Sequence, residues 1–160
     1  MVLRYFIEEE ILEFGKITYK ATCRVRNEIN SKRKKSQVVK TYPKGDERLP
    51  YMPRRFPTGV WEVFKPIWTN DIEFWPVKIP TNAVRRVLAW YTEKGEYSES
   101  SEIIQDDAYY HLHFSRDSIS TLGCIRLNSA NDAEQIARRI EGLQAAGHQV
   151  LLEVVENRRY

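Results

Sequence analysis

Cysteine is scarce in this 160-residue chain: Cys23 and Cys124 are the only two, far apart and in no C-x-x-C or C-x-x-H spacing. A zinc ribbon and a disulfide-stapled fold are thereby excluded, and at most one disulfide is left, which would consume both thiols. Long apolar runs are missing as well. No stretch approaches the ~18–20 apolar residues of a membrane-spanning helix, and Glu8-Glu9-Glu10 interrupts any basic-then-apolar leader, so a leaderless chain without a membrane span is expected. Internal repeats and low-complexity tracts are absent, which excludes a solenoid or an array. What remains is a chain long enough for one domain over residues 1–160, burying roughly two-thirds of its unfolded surface without a staple.

Charge is balanced, at a net +3, with one dense basic run, Lys32-Arg33-Lys34-Lys35. The run carries no interleaved aromatics on which bases would stack, so it reads as a solvated loop, and no nucleic-acid partner is expected. An anionic-polymer binder using this run together with Arg54-Arg55 stays open as another class; it would show a steep salt dependence and no thiol dependence.

Periodicity supplies the elements. Residues 1–14 mix apolar side chains with the glutamate triplet and fit either a short helix or a first strand. Residues 16–25 alternate, with Ile17, Tyr19, Ala21 and Cys23 on one face, which predicts a half-buried strand with Cys23 in the core. Residues 37–42 read as a further strand, closed by the turn Pro43-Lys44-Gly45-Asp46, and the proline-rich stretch 43–57 as an extended loop. Strands follow over 59–68 and 73–79, the latter broken by Pro76 and Pro80 and therefore placed at an edge. Thr81 or Asn82 is expected to cap a helix through residue 91, with Val84, Val87, Leu88 and Tyr91 at helical spacing, and 95–107 is a polar insertion. A strand over 108–114 puts Tyr109, His111 and His113 on one face. After it, Ser129 or Asn131 caps a helix with Ala133, Ile136, Ala137, Ile140 and Leu143 on one side, Arg138 and Arg139 in its second half and Gly147 at its close. Residues 149–155 form a last strand. The fold class is β-rich α+β, a sandwich or mixed sheet with about two helices.

The chemistry concentrates in Ser120-Thr121-Leu122-Gly123-Cys124-Ile125-Arg126 and the upstream Tyr110-His111-Leu112-His113. A thiol behind a glycine, with an imidazole a short loop away, has the makings of a nucleophile and its base. Backbone amides beside the glycine can face a developing oxyanion. Two histidines at i and i+2 with Cys124 also suggest three metal ligands, but no acid or further histidine stands in ligand spacing, so no metal and no cofactor is expected.

Thr121-Leu122-Gly123-Cys124-Ile125-Arg126 resembles the [S/T]-x-G-C-apolar-[R/N] nucleophile motif of the L,D-transpeptidase catalytic-domain family. Phe56-Pro57-Thr58-Gly59-Val60-Trp61 is similar to the Thr-Pro-Thr-Gly-aromatic run that leads into a core strand of that family, and a histidine-ended strand, helix and final strand follow in the family's order over residues 36–155. The resemblance implies an L,D-transpeptidase-like sheet and a cysteine L,D-transpeptidase or L,D-carboxypeptidase acting on peptidoglycan stem peptides through a thioester. It implies Cys124 as nucleophile, His113 as base and Arg126 as a fixed cation for thiolate or substrate carboxylate, with His111, Ser120, Thr121 and Gly123 in support.

Three departures stand against the pattern: Leu122 where a second histidine is frequent, an interval of 124 − 113 = 11 residues between His113 and Cys124, and Phe114 in place of a small residue. His111 is the alternative base. With no leader, action in the periplasm or on the cell wall implies a dedicated secretion machine, another non-classical route or a trimmed chain. The layout is similar to small effector toxins of that family, for which an immunity protein is the expected partner. A non-catalytic module on the same fold, binding cell wall or protein, is the alternative function.

Overall fold

A computed structural model of the chain describes residues 1–23, 55–87, 89–91, 97–99, 105–107, 110–116 and 124–158, with the backbone alone for the strands between 85 and 107. The expected strand over 37–42, the turn 43–46, the basic run 32–35 and Arg54 lie outside these residues.

The first fourteen residues form strands. β1 (Val2–Phe6) and β2 (Ile11–Phe14) pair antiparallel, and β2 pairs in turn with β3 (Ile17–Thr22). Alternation explains the choice: Leu3, Tyr5, Leu12 and Phe14 are fully buried, while Arg4 and Glu13 stand opposite each other on the other face. The glutamate triplet that obscured the pattern is the turn itself. Glu10 sits at φ 57 and its N–H donates to Phe6 O at 2.9 Å. The β2–β3 turn uses Gly15 at φ 63, where a side chain would be strained.

The chain then adds β4 (Gly59–Glu62), β5 (Ile67–Trp68), β6 (Val77–Pro80), β11 (His111–His113), β12 (Ile125–Leu127) and β13 (Leu151–Val155) to one mixed nine-stranded sheet, in the order β4-β13-β1-β2-β3-β12-β11-β6-β5. Two pairs are parallel, β1 with β13 and β11 with β12. The sheet curls toward closure. Val63 bridges Thr81, Phe64 N–H donates to Pro80 O at 2.9 Å and Asn82 N–H to Glu62 O at 3.1 Å, so 59–68 runs along β13 with its first half and β6 with its second.

One helix is described, α1 (Ala130–Ala145), and it covers one sheet face. Ser129 is its N-cap, accepting from Asp132 N–H at 3.1 Å; Gly147 at φ 87 follows the C-cap, with His148 N–H returning to Leu143 O. Ala133, Ile136, Ala137 and Ile140 are fully buried against the sheet's inner row, which includes Leu3, Leu12, Leu112, Ile125, Leu127 and Leu152. Arg138 and Arg139 are not in the last turn, so they do not serve the helix dipole. Arg138 pairs with Glu134, and Arg139 donates to Phe14 O at 3.1 Å with its guanidinium 3.8 Å from the Phe14 ring, pinning helix to sheet.

Three expectations are corrected. The described residues of 82–91 hold no helix: β7 (Arg85–Val87) pairs with β10 (Gln105–Asp107), and β8 (Ala89–Tyr91) with β9 (Tyr97–Glu99), so the described parts of the stretch read as helix plus polar insertion pair as two nested antiparallel ladders. Valine, tryptophan and tyrosine in 84–91 favour strands once a partner exists, and tertiary pairing overrides helical spacing. β6 is not an edge strand, since it lies between β11 and β5; Pro76 precedes it and Pro80 ends it, where neither interrupts the ladder. Finally, 56–61 leads into β4 at the sheet's edge, with Val60 59% exposed, rather than into a core strand.

At that edge Gly59 has φ 142, and a Cβ there would lie 3.1 Å from Trp61 Cζ2. The Trp61 indole folds back over the glycine because its Nε1–H donates to Pro57 O at 2.9 Å. Gly59→Ala is therefore expected to cost about 1–3 kcal/mol, measurable as a lowered urea midpoint, whereas Val60→Ala at the exposed neighbour should change it little.

Candidate active site

The parallel pairing of β11 and β12 aligns Leu112 with Ile125 and His113 with Arg126, which brings His111 beside Cys124. Leu112, Ile125 and Leu127 point into the core, so alternation turns His111, His113, Cys124 and Arg126 to the opposite face. Cys124 is half-buried. Its Sγ lies 3.8 Å from His111 Nδ1 and accepts from the His111 backbone N–H at 3.4 Å. A donor N–H and an imidazole nitrogen of the same residue thus meet on one sulfur.

His113, the expected base, is 5% exposed, and its Nδ1 has no hydrogen-bond partner among the described residues. Burial pushes its pKa down from 6.5 to about 4; the neighbouring His111 and Arg126 act in the same direction and the Phe114 backbone in the other, short of a hydrogen bond to Nδ1. The imidazole is neutral at physiological pH. Arg126 is committed to structure on one side: its Nη2 donates to Ser115 O at 2.8 Å and its guanidinium lies 4.9 Å from the Phe114 ring, tying β12 to the chain leaving β11. Ser120, Thr121 and Gly123 lie outside the described residues.

Phe74 is the site residue that sequence reasoning missed. Its ring lies 5.2 Å from that of His113, edge-on, and 5.8 Å from that of His111, with Lys78 Nζ 5.0 Å from its centroid. The loop bearing it is built by short-range bonds, Asp71 N–H to Thr69 Oγ1 and Glu73 N–H to Asp71 Oδ1, and is fastened to the chain after β11 by Arg116 N–H to Ile72 O and by the Arg116 guanidinium 4.9 Å from the Trp75 ring. The Phe74-Trp75-Pro76 run was the available signal, and reading it as strand hid it.

Cys23 is buried at 2% on the α1 side of the sheet, neither cysteine is in a disulfide, and alternation keeps the two sulfurs on opposite faces. Beside it Tyr5 donates to Ala21 O at 3.0 Å, and burial foremost raises its pKa. Among the described residues no group of three His, Cys, Asp or Glu side chains gathers to hold a metal, and no helix is long and apolar enough to cross a membrane. Compared with known proteins, the chain matches no family model, no curated protein and no solved structure.

Proposed function

We propose that the protein is a cysteine-dependent acyl-transfer enzyme working on peptidoglycan stem peptides, as an L,D-transpeptidase or an L,D-carboxypeptidase. The observation that carries the reading is the approach of Cys124 Sγ to His111 Nδ1, 3.8 Å, on the sheet face opposite α1. In support, the histidine strand, cysteine strand, helix and closing strand keep the chain order of the family that the motif resembles. His111 rather than His113 takes the base role, because a base must reach the proton it accepts.

The Cys124 thiol passes its proton to His111, and the thiolate attacks the carbonyl on the L-centre of a diaminoacyl residue. The C–S bond forms, the C–N bond breaks and His111 protonates the departing amine, leaving a thioester. An incoming amine gives a transpeptidase product; water gives the carboxypeptidase product. Arg126, held by Ser115, contributes a fixed positive charge two residues from the sulfur. Action belongs at the cell wall or in the periplasm, and an immunity protein or a secretion machine belongs among the partners of such an enzyme.

Mass spectrometry of disaccharide tetrapeptides incubated with the protein tests this. Loss or exchange of the terminal D-amino acid, or a new cross-link, should occur with the wild type and vanish in Cys124→Ala. Unchanged tetrapeptide that nevertheless binds wild type and Cys124→Ala equally would overturn the reading in favour of a binding module.

A further inference from the structure

Lys78 is a cation on the Cys124 face that the acyl-transfer steps do not use. Val77 and Ile79 are fully buried in the core, so alternation along β6 turns Lys78 to the face that carries Cys124, His111 and His113. There the register sets it between His113 on β11 and Ile67 on β5, neither of them acidic. Among the described residues no carboxylate pairs with it, and its Nζ rests 5.0 Å from the centroid of the Phe74 ring. A half-buried ammonium held on an aromatic face keeps N–H donors to spare for an anion.

The Phe74 ring joins this cation to the histidines. It lies 5.8 Å from the His111 ring and 5.2 Å from that of His113. His113 is 5% exposed beneath it, and its Nδ1 is buried. The wall beside the proposed base thus holds two polar groups, the Lys78 ammonium and His113 Nδ1, with no hydrogen-bond partner among the described residues. An anion set against Phe74 meets the first directly, whereas a cation would be repelled by it.

The order of groups across the sheet says which anion. Nucleophile, imidazoles and ammonium sit on three neighbouring strands, β12, β11 and β6, which span two strand spacings, on the order of 10 Å. For His111 to protonate the departing amine, that amine must lie between the sulfur and the imidazole. The amino acid that carries it then extends over β11 toward β6, with its free α-carboxylate next to the carbon that bears the amine.

Resting on the acyl-transfer reading, we propose that Lys78 binds the free α-carboxylate of the amino acid that leaves or enters at the thioester step, and so determines specificity for an unblocked peptide end. A stem whose last residue is amidated or extended lacks that carboxylate at this position and is a poor substrate. When an amino acid enters, Lys78 holds its carboxylate while its amine attacks the thioester carbonyl. A C–N bond forms, the C–S bond breaks, and the proton lost by the amine returns through His111 to the Cys124 sulfur.

Two measurements on the full chain test this. In the first, a tetrapeptide with a free terminal D-alanine and the same peptide ending in D-alanine amide are compared by kcat/KM. The acid should be preferred about tenfold, corresponding to ~1.4 kcal/mol, mainly through KM. Lys78→Gln should bring the acid down to the level of the amide while leaving the amide unchanged, and Lys78→Arg should keep the preference. In the second, calorimetry of Cys124→Ala should show the acid binding more tightly than the amide, with the difference lost when Lys78→Gln is added. Equal turnover of acid and amide, or a preference that survives Lys78→Gln, would overturn the role of Lys78 and leave the acyl-transfer reading standing. Lys78-dependent binding of the acid without turnover by wild type would uphold the carboxylate site and overturn that reading. Equal binding of acid and amide would overturn the site whatever the turnover.

Discussion

Replacing His111 by alanine is expected to lower kcat by about 10²–10⁴-fold, while leaving KM for the tetrapeptide within a few-fold of wild type. The imidazole approaches the Cys124 sulfur through Nδ1 at 3.8 Å, and no other described imidazole does. In the proposed mechanism its loss removes both the acceptor for the thiol proton and the donor for the departing amine, interactions that strengthen in the transition state rather than on binding. The backbone N–H of residue 111 still donates to Sγ in the variant, so some thiolate character should survive and the loss should fall short of that in Cys124→Ala. His113→Gln offers the contrast. If His113 were the base, its variant would show the larger fall and a steeper loss at low pH; a base beneath Phe74, 5% exposed, would first have to be uncovered.

His113 should instead reveal itself in stability. Its folded pKa of about 4 lies below the unfolded 6.5, because burial disfavours the imidazolium. Between these values the unfolded chain binds a proton that the native state does not, so stability falls as the pH drops and is fully present only above the unfolded pKa. From pH 6.5 to 5, where carboxylates hardly titrate, the loss assigned to this residue is about 2 kcal/mol at ~1.4 kcal/mol per pH unit. The charged groups around the ring are His111 and Arg126, both opposing protonation, with Lys78 on the Phe74 ring beyond it. Urea midpoints measured at pH 7 and pH 5 should drop markedly for wild type and much less for His113→Gln. Equal drops in both proteins would mean that this imidazole is solvated or partnered in the native state.

Much of this molecule is legible in its sequence where a periodic signal is long and a cap is unambiguous. The helix from Ser129 to Gly147, the strand that buries Tyr19, Ala21 and Cys23, and the last strand all follow from spacing and end signals. Residues 82–91 failed because their apolar spacing satisfies a helix, whereas the pairing that makes them strands depends on residues 97–107, invisible to a local window. The opening hairpin stayed undecided because three glutamates that look like a polar helix face are a turn, closed by Glu10 at positive φ.

The site divides in the same way. Alternation put His111 with His113 on one face of their strand, but that this face also carries Cys124 and Arg126, and which histidine meets the thiol, depends on the pairing and register of two parallel strands, where a shift of two residues exchanges one histidine for the other. Phe74 comes from a loop nearly forty residues before the histidines; its Phe74-Trp75-Pro76 run marks an unusual loop but not the strand that the ring covers.

The central claim is that Cys124 is an activated thiol, and its alkylation rate by iodoacetamide, followed by peptide mass spectrometry from pH 5 to 10 with Cys23 as internal control, tests it most directly. Labelling of Cys124 should rise with a midpoint well below ~8.5, the value of a free thiol, shift upward in His111→Ala, and exceed that of buried Cys23 throughout the native range. A midpoint at or above ~8.5, unmoved by His111→Ala, would contradict it and leave Cys124 an ordinary half-buried side chain.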